Sequence, residues 1–154
     1  MRPKLAAPLL TAASAVLALS GCGGGSSPAS PSASVPTPAP ASDTRTIQED
    51  PSFSATIQEI FVRRSCASGS CHGAAVAAWL DLRSEASYAA LVGVTATSEP
   101  ILRVIPGDPD NSYLVMKLEG RQSVGVRMPL GFAPLDEVDL TNIRNWIAQS
   151  AKNN

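Results

Sequence analysis

Two cysteines and the only histidine of the chain lie within the eight residues CASGSCHG, from Cys66 to Gly73. Two thiols beside an imidazole can form a disulfide loop, a metal site, or a covalent attachment point for a haem. Haem attachment needs two thiols that add to vinyl groups and a histidine placed to bind iron. A histidine directly after the second cysteine, as in Cys71-His72, meets that need.

The spacing here is C-x4-C-H, whereas the usual haem-attachment signature is C-x-x-C-H. Cysteines five positions apart would lie about 140° apart around a helix, on opposing sides. Both can reach one flat ring only if the helix is broken between them. The intervening residues 67–70 are small, and Gly69 can adopt positive φ, so we expect a compact loop that brings Cys66 beside Cys71.

The competing interpretations of this stretch explain fewer of its residues. A Cys66–Cys71 disulfide is sterically allowed, but it gives His72 no role, and closing so short a loop stabilises little. A zinc site would need a carboxylate as its fourth ligand. A Cys/His nucleophile fits poorly because adjacent side chains seldom face each other. The residues favour haem, and the disulfide remains the main alternative.

A second axial iron ligand must come from a short list, because the chain beyond its first residues contains only Met116 and Met128 and no second histidine. Met116 lies in the apolar run YLVMKL of a predicted helix, where core packing is expected. Met128 lies in VRMPLG, where Pro129 and Gly131 stop a helix and a loop can present the sulfur. We predict His72 and Met128 as the axial ligands, with Met116 as the less favoured choice.

Further residues around such a site are predicted from chemistry alone. The second ring nitrogen of His72 should donate to a carbonyl oxygen. Three arginines could pair with haem propionates, although each is expected to be a surface side chain: Arg83, Arg103 and Arg127. Five apolar residues are expected to form the pocket wall or ordinary core: Leu80, Leu82, Val104, Ile105 and Leu130.

The element that leads into the cysteines is predicted to be an amphipathic helix. It begins with Asp50 as the N-cap and Pro51 at the first helical position. One apolar face follows at helical spacing, formed by Phe53, Ile57, Ile60 and Phe61. The helix should run directly into Cys66.

Three further helices are predicted, and no alternating strand pattern of useful length lies between them. The second runs from Ser84 to Leu91 and the third from about Asp110 to Glu119, with Gly120 as its stop. The last runs from Asp136 to about Ala151. Its apolar face consists of Leu140, Ile143 and Ile147, with Trp146 beside it. The fold class is therefore all-α, with about four helices and long loops.

The beginning of the chain has the features of an export signal, which we place at residues 1–21. A basic start is followed by an apolar stretch that is too short to span a membrane. The LSGC that ends it resembles the lipobox of bacterial lipoproteins, which predicts lipidation of Cys22. Gly23 after it favours the outer membrane. Export to the periplasm gives an oxidising environment, where a reduced zinc-type pair of cysteines is disfavoured.

Residues 22–49 form a predicted tether and residues 50–152 a single domain. The stretch from Gly23 to Ser42 has no charge and no aromatic residue but contains five prolines, so it should stay extended and disordered. The whole chain has a formal net charge of −1, and its only basic pair is Arg63-Arg64. Nucleic acid is therefore not an expected partner.

Several segments together resemble the small monohaem cytochrome c domains of exported bacterial proteins, including the planctomycete-type group. They are IFVRRSCASGSCHG, WLDLRSEASYAALVG, VIPGDPDNSYLVMKL, RMPLG and IRNWIAQSA, within Phe53 to Ala151. The resemblance implies a cytochrome c-like fold whose first and last helices cross beside one covalently bound haem c. The longer cysteine spacing and the WIAQSA ending depart from the family pattern.

We therefore expect a lipid-anchored, monomeric periplasmic cytochrome that exchanges electrons with redox partner proteins. With His72 and Met128 filling both axial positions, it should be an electron carrier and not an enzyme. One alternative is a haem-free exported lipoprotein that serves as an interaction module and contains the Cys66–Cys71 disulfide. The other is a haem-based enzyme or sensor with an open distal site.

Overall fold

The computed structural model describes residues 45–154, which form four α-helices joined by long loops. They are α1 (Gln58–Arg63), α2 (Ser87–Leu91), α3 (Tyr113–Glu119) and α4 (Glu137–Ala148). Two short helical turns lie outside them, Phe53–Ile57 and Ala77–Trp79, and the β-structure in this range is limited to isolated bridges, so this part of the chain is all-α. None of its helices is long and apolar enough to cross a membrane. The predicted signal, Cys22 and most of the predicted tether lie outside the described residues.

The first helix begins as a π-helical turn, Phe53–Ile57, and continues as α1. Its N-cap is Ser52, whose hydroxyl accepts a hydrogen bond from the backbone N–H of Ala55, so the prediction of Asp50 is wrong. Asp50 instead pairs with Lys152 at 2.8 Å. The predicted apolar face is confirmed, since all four of its side chains are buried: Phe53, Ile57, Ile60 and Phe61.

The second and third helices begin later than predicted, because nearby polar groups are engaged elsewhere. The Ser84 hydroxyl donates to Glu85, so it does not cap α2. Asp108 accepts hydrogen bonds from the backbone and side chain of Asn111, and this turn delays the start of α3 until Tyr113. The predicted stop at Gly120 is confirmed, because that residue adopts a left-handed conformation with φ 79°.

Helix α4 packs against α3 and the π-helical turn and supplies much of the core. The Asp136 carboxylate caps it by accepting from the backbone N–H of Asp139 at 3.0 Å. The predicted face is buried at Ile143 and Ile147 and half-buried at Leu140, and Trp146 beside it is buried as well. The helix ends at Ala148, earlier than predicted.

Residues 45–49, assigned to the tether by the sequence, pack along α4. Asn142 donates to the carbonyl of Thr46 and accepts from the backbone N–H of Gln48. At the other end of the chain, the Asn154 side chain accepts from the backbone N–H of Phe53 at 2.9 Å. The ring of Phe53 in turn packs 5.1 Å from that of Trp146. Both ends of this region are thereby tied to the same core.

Candidate functional site

A cavity lies between the cysteine stretch, α3 and the chain that leads into α4. It has a volume of about 280 Å³ and is partly open to solvent, and most of its lining side chains are apolar. The cavity brings together Cys66, Cys71, His72 and Met128, although the first and last of these are far apart in sequence. This volume lies near the lower end of the range of about 300–1,000 Å³ that is usual for ligand pockets.

Residues 65–73, here called the attachment loop, are folded by hydrogen bonds among their own backbone groups. The N–H of His72 donates to the carbonyl of Cys66 at 3.1 Å, and the N–H groups of Cys71 and Gly73 donate to the carbonyl of Ser68 at 3.0 and 2.9 Å. The chain reverses at Ser65, whose φ is 57°. The predicted loop is present.

The prediction of positive φ at Gly69 is wrong, because Gly69 is not among the residues with positive φ and has open space around it. The glycine that the loop requires is Gly73. A Cβ there would lie 2.6 Å from the carbonyl oxygen of Ser68 and still closer to that of Ala67. Both neighbours are backbone atoms, so a side chain at this position would force the loop itself to move.

Both cysteine side chains are half-buried, line the cavity and are free thiols. Burial raises the pKa of the Cys66 thiol to about 11, and the nearby charge of Arg64 opposes this shift only partly. Because that value is well above neutrality, Cys66 is protonated at pH 7.

The ring of His72 is oriented by a backbone carbonyl, as predicted, and the partner is Ala77. Its Nδ1 lies 2.8 Å from the Ala77 oxygen, and because a carbonyl can only accept, Nδ1 carries the proton. In the neutral ring, this leaves the lone pair of Nε2 for coordination. The turn that places this carbonyl contains left-handed, strained conformations at Val76, Ala78 and Trp79.

Residues 123–134, here called the Met128 segment, run between α3 and α4, and the part from Met128 to Phe132 lines the cavity. The backbone N–H of Met128 donates to the carbonyl of Lys117 on α3 at 2.8 Å, and its side chain packs against the core. Leu130 and Phe132 also line the cavity, although 65% and 62% of their surfaces are exposed. Met116 is half-buried on α3 and does not line the cavity.

Arg103 lines the cavity and is only 6% exposed, so its prediction as a surface side chain is wrong. Its guanidinium donates to the carbonyls of Ala78, Trp79 and Ala90, and within residues 45–154 it forms no salt bridge. Burial lowers its pKa. A buried cation with only neutral acceptors is costly, and an anionic group inside the cavity would relieve that cost.

The other two arginines are on the surface, as predicted. Arg83 is exposed and pairs with Asp81 at 2.6 Å, and Arg127 is exposed. Of the five predicted pocket walls, three line the cavity: Leu80, Leu82 and Leu130. The other two, Val104 and Ile105, do not.

Sequence reasoning missed the contribution of α3, where Leu114 and Leu118 line the cavity together with Lys117. The signal that could have found the two leucines is their spacing of four, which places both on one helix face. For Arg103, the signal is a single charge inside the apolar run ILRVI.

Comparisons of the chain with family models, curated proteins and solved structures found no match. Across residues 45–154, no three His, Cys, Asp or Glu side chains are grouped so that they could hold a metal ion by themselves. The functional argument therefore depends on the cavity and the residues that line it.

Proposed function

We propose that this protein is an electron carrier of the cytochrome c type, with one haem c bound covalently in the cavity. The observation that carries the proposal is the convergence of two thiols, an imidazole and a thioether on one apolar cavity. These are the side chains that attach haem c and bind its iron from both faces. The cytochrome c-like arrangement of the all-α fold belongs to the same proposal.

Each of these side chains has a distinct task. Cys66 and Cys71 would form the two thioether bonds, and His72 and Met128 would occupy the axial positions. When bound, haem c supplies a one-electron couple between ferric and ferrous iron. The Ala77 carbonyl holds the His72 ring with Nε2 free, and the sulfur of Met128 favours the ferrous state relative to a second nitrogen ligand.

Two features of the cavity fit a large apolar group that carries carboxylates. Arg103 supplies a buried positive charge without a carboxylate partner among residues 45–154, as a propionate would require. Leu130 and Phe132 expose large apolar surfaces next to the cavity, and a bound macrocycle would cover such surfaces. Both features concern this chain's own residues and are independent of the cysteine motif.

The cellular setting is proposed from the sequence. An export signal at residues 1–21 and lipidation of Cys22 would anchor the carrier to a membrane on its periplasmic side, with the outer membrane favoured. The Pro-rich tether would let a monomeric domain reach redox partner proteins away from that membrane. With both axial positions filled by protein ligands, no substrate needs to bind the iron.

The test is a haem stain on a denaturing gel. The full chain is exported in cells that carry out covalent haem attachment, boiled with reductant and separated. We expect the band to retain haem, and we expect the double variant Cys66→Ala/Cys71→Ala to lose it, because thioether bonds survive denaturation. An unstained wild-type band, beside a control cytochrome that is stained in the same cells, would contradict the proposal.

The same preparation distinguishes the proposed haem protein from the haem-free alternative. If the exported chain lacks haem, alkylation of the denatured protein before and after reduction shows the state of its thiols. Thiols that react only after reduction would support a Cys66–Cys71 disulfide and an interaction module. Thiols consumed by thioether bonds stay unreactive in both samples, which is the result we expect.

A further inference from the structure

Arg64 connects the two sides of the cavity. It directly follows α1 and lies two residues before Cys66, yet its side chain reaches the far end of the Met128 segment. Its Nη2 donates to the carbonyl of Pro134 at 2.5 Å and lies 3.4 Å from that of Ala133. The side chain is 22% exposed, and its bonds to these two carbonyls lie at the surface of the protein.

A buried carboxylate fixes the Arg64 guanidinium in this position. Asp139 is only 1% exposed, and its Oδ1 accepts from Arg45 and Arg63 at 2.8 and 2.6 Å. Its buried Oδ2 has no hydrogen-bond partner among residues 45–154 and lies 3.8 Å from Nε of Arg64. Arg64 therefore places a positive charge 3.8 Å from an otherwise unsatisfied oxygen, and this attraction favours its position beside α4.

The opposite end of the Met128 segment is held from α3. Lys117 donates from Nζ to the carbonyl of Val126 at 2.6 Å, and its own carbonyl accepts from Met128. Between the two ends, the chain makes a local bond from the N–H of Phe132 to the carbonyl of Pro129 at 3.3 Å. The path of the residues around Met128 thus depends on charged side chains at both ends.

We propose that Arg64 is a positioning residue that keeps the Met128 segment closed over the cavity and so keeps the Met128 sulfur at its axial position. This inference rests on the proposed function and adds a determinant of axial ligation that lies on the cysteine side of the cavity. Since a neutral thioether is a weak ligand, its occupancy depends on how firmly the protein holds the segment that carries it. Weakening the downstream end lets the segment open more often.

The adjacent arginine supplies a matched control. Arg63 also bonds Asp139, but its other partner is Glu59 at 2.6 Å, one turn earlier on the same helix. Its side chain makes no hydrogen bond to the Met128 segment. Arg63→Gln and Arg64→Gln therefore both remove a cation from Asp139, and only the second removes bonds to Ala133 and Pro134.

The experiment measures how fast carbon monoxide binds to the reduced, haem-loaded full chain, together with the absorption band of methionine-ligated ferric haem. We expect Arg64→Gln to bind carbon monoxide about tenfold faster than wild type and to lose part of that band, because charge-assisted hydrogen bonds are lost. Arg63→Gln should stay within about twofold of wild type. Arg64→Lys, which can still donate one bond, should fall between them.

Equal rates for Arg64→Gln and Arg63→Gln would overturn the inference, provided that Met128→Ala binds carbon monoxide rapidly. If Arg64→Gln does not fold, Arg64→Lys is compared with Arg63→Lys, and equal rates there overturn it as well. The proposed function fails separately: a wild-type chain without stainable haem ends both proposals. If the wild type is stained but Met128→Ala behaves like it, haem attachment stands. The axial role of Met128 is then excluded, and the inference about Arg64 with it.

Discussion

The two sides of the cavity are held in place in different ways. The attachment loop is closed by hydrogen bonds between its own backbone groups, such as His72 to Cys66. The Met128 segment is held by side chains that come from elsewhere in the fold, among them Arg64 and Lys117. The attachment loop is therefore supported by its own local backbone bonds, whereas the Met128 segment depends on tertiary contacts.

This difference has a consequence for the proposed carrier. Local backbone bonds persist whenever the loop is formed, because the groups that make them are close in sequence. Contacts between elements that are distant in the sequence weaken when the whole fold is destabilised. Those made by charged side chains also respond to changes in charge. We therefore expect the thioether and histidine side to tolerate changes elsewhere in the protein and the methionine side to be the sensitive one.

The largest expected effect comes from breaking the local side at Gly73. In Gly73→Ala the new methyl group overlaps the carbonyls of Ala67 and Ser68, so the attachment loop cannot close as it does in wild type. We expect covalent haem per exported chain to fall about tenfold, as for a backbone clash with no flexible neighbour. Haem stain against total protein measures it.

Gly69→Ala is the matched control for that change. Gly69 lies in the same loop, but a Cβ there meets nothing within 4 Å, and its φ is not positive. Its haem content should equal that of wild type. Equal losses in both variants would mean that the loop tolerates no substitution at all, and equal retention would mean that the contact at Gly73 is unimportant.

The next effect in size is the loss of the proposed axial sulfur in Met128→Ala. We expect the covalent haem content to be unchanged, the reduction potential to fall by on the order of 0.1 V, and carbon monoxide to bind rapidly. Met116→Ala is the control, because Met116 does not line the cavity. Potentiometric titration checks the prediction, and a shift in Met116→Ala instead of Met128→Ala would reverse the assignment.

The sequence predicted those parts of the fold that depend on local patterns. The buried face of the first helix, the stop at Gly120 and the start of the last helix near Asp136 follow from spacing and residue type. The starts of α2 and α3 could not be predicted in the same way, because Ser84 and Asp108 are engaged by neighbouring side chains. Residue type allows either use of such a side chain, and only the folded chain selects one.

The candidate site also has a part that local sequence patterns predict and a part that they do not. Its thiols, its imidazole and Met128 were predicted from type and spacing, and the structure places all of them on one cavity. Arg64 was not recognised as part of it, and Arg103 was named as a possible propionate partner but expected on the surface. The bond from Arg64 to Pro134 joins residues 70 positions apart, and the burial of Arg103 results from packing against distant carbonyls. The contact of Arg64 has no signature in the local sequence, and the only local sign of the burial of Arg103 is its single charge inside the apolar run ILRVI.

A moderate effect is expected at Arg103, whose side chain forms hydrogen bonds with the backbone near the carbonyl that orients His72. Arg103 donates to the carbonyls of Ala78 and Trp79, directly after the Ala77 carbonyl that orients His72. Arg103→Gln removes a positive charge beside the cavity, and because that charge favours the ferrous state, the reduction potential should fall by less than in Met128→Ala. Arg83→Gln, on the exposed Asp81 pair, should leave the potential unchanged, and an equal shift in both variants would contradict the assignment.

The smallest expected effect is a pH dependence confined to the Met128 segment. Glu99 accepts hydrogen bonds from the backbone N–H groups of Ser123 and Val124 and from the Ser123 hydroxyl, and these bonds lower its pKa. Because the pKa of Glu99 is lowered in the folded protein, the stabilisation from these hydrogen bonds is fully present above the ordinary glutamate pKa of about 4.3. It is lost as the pH falls through the lower value of the folded state.

An acid titration of the methionine-ligation band should therefore lose intensity below about pH 4 in wild type. In Glu99→Gln, the band should be slightly weaker at neutral pH and less sensitive to acid over that range. Glu85→Gln, which changes an exposed carboxylate near Arg83, should titrate like wild type. The His72 side has no carboxylate among its loop bonds, so histidine ligation should persist where the methionine is lost. If both ligands were released together, the two sides would not be independent, and the distinction between a local and a tertiary support would fail.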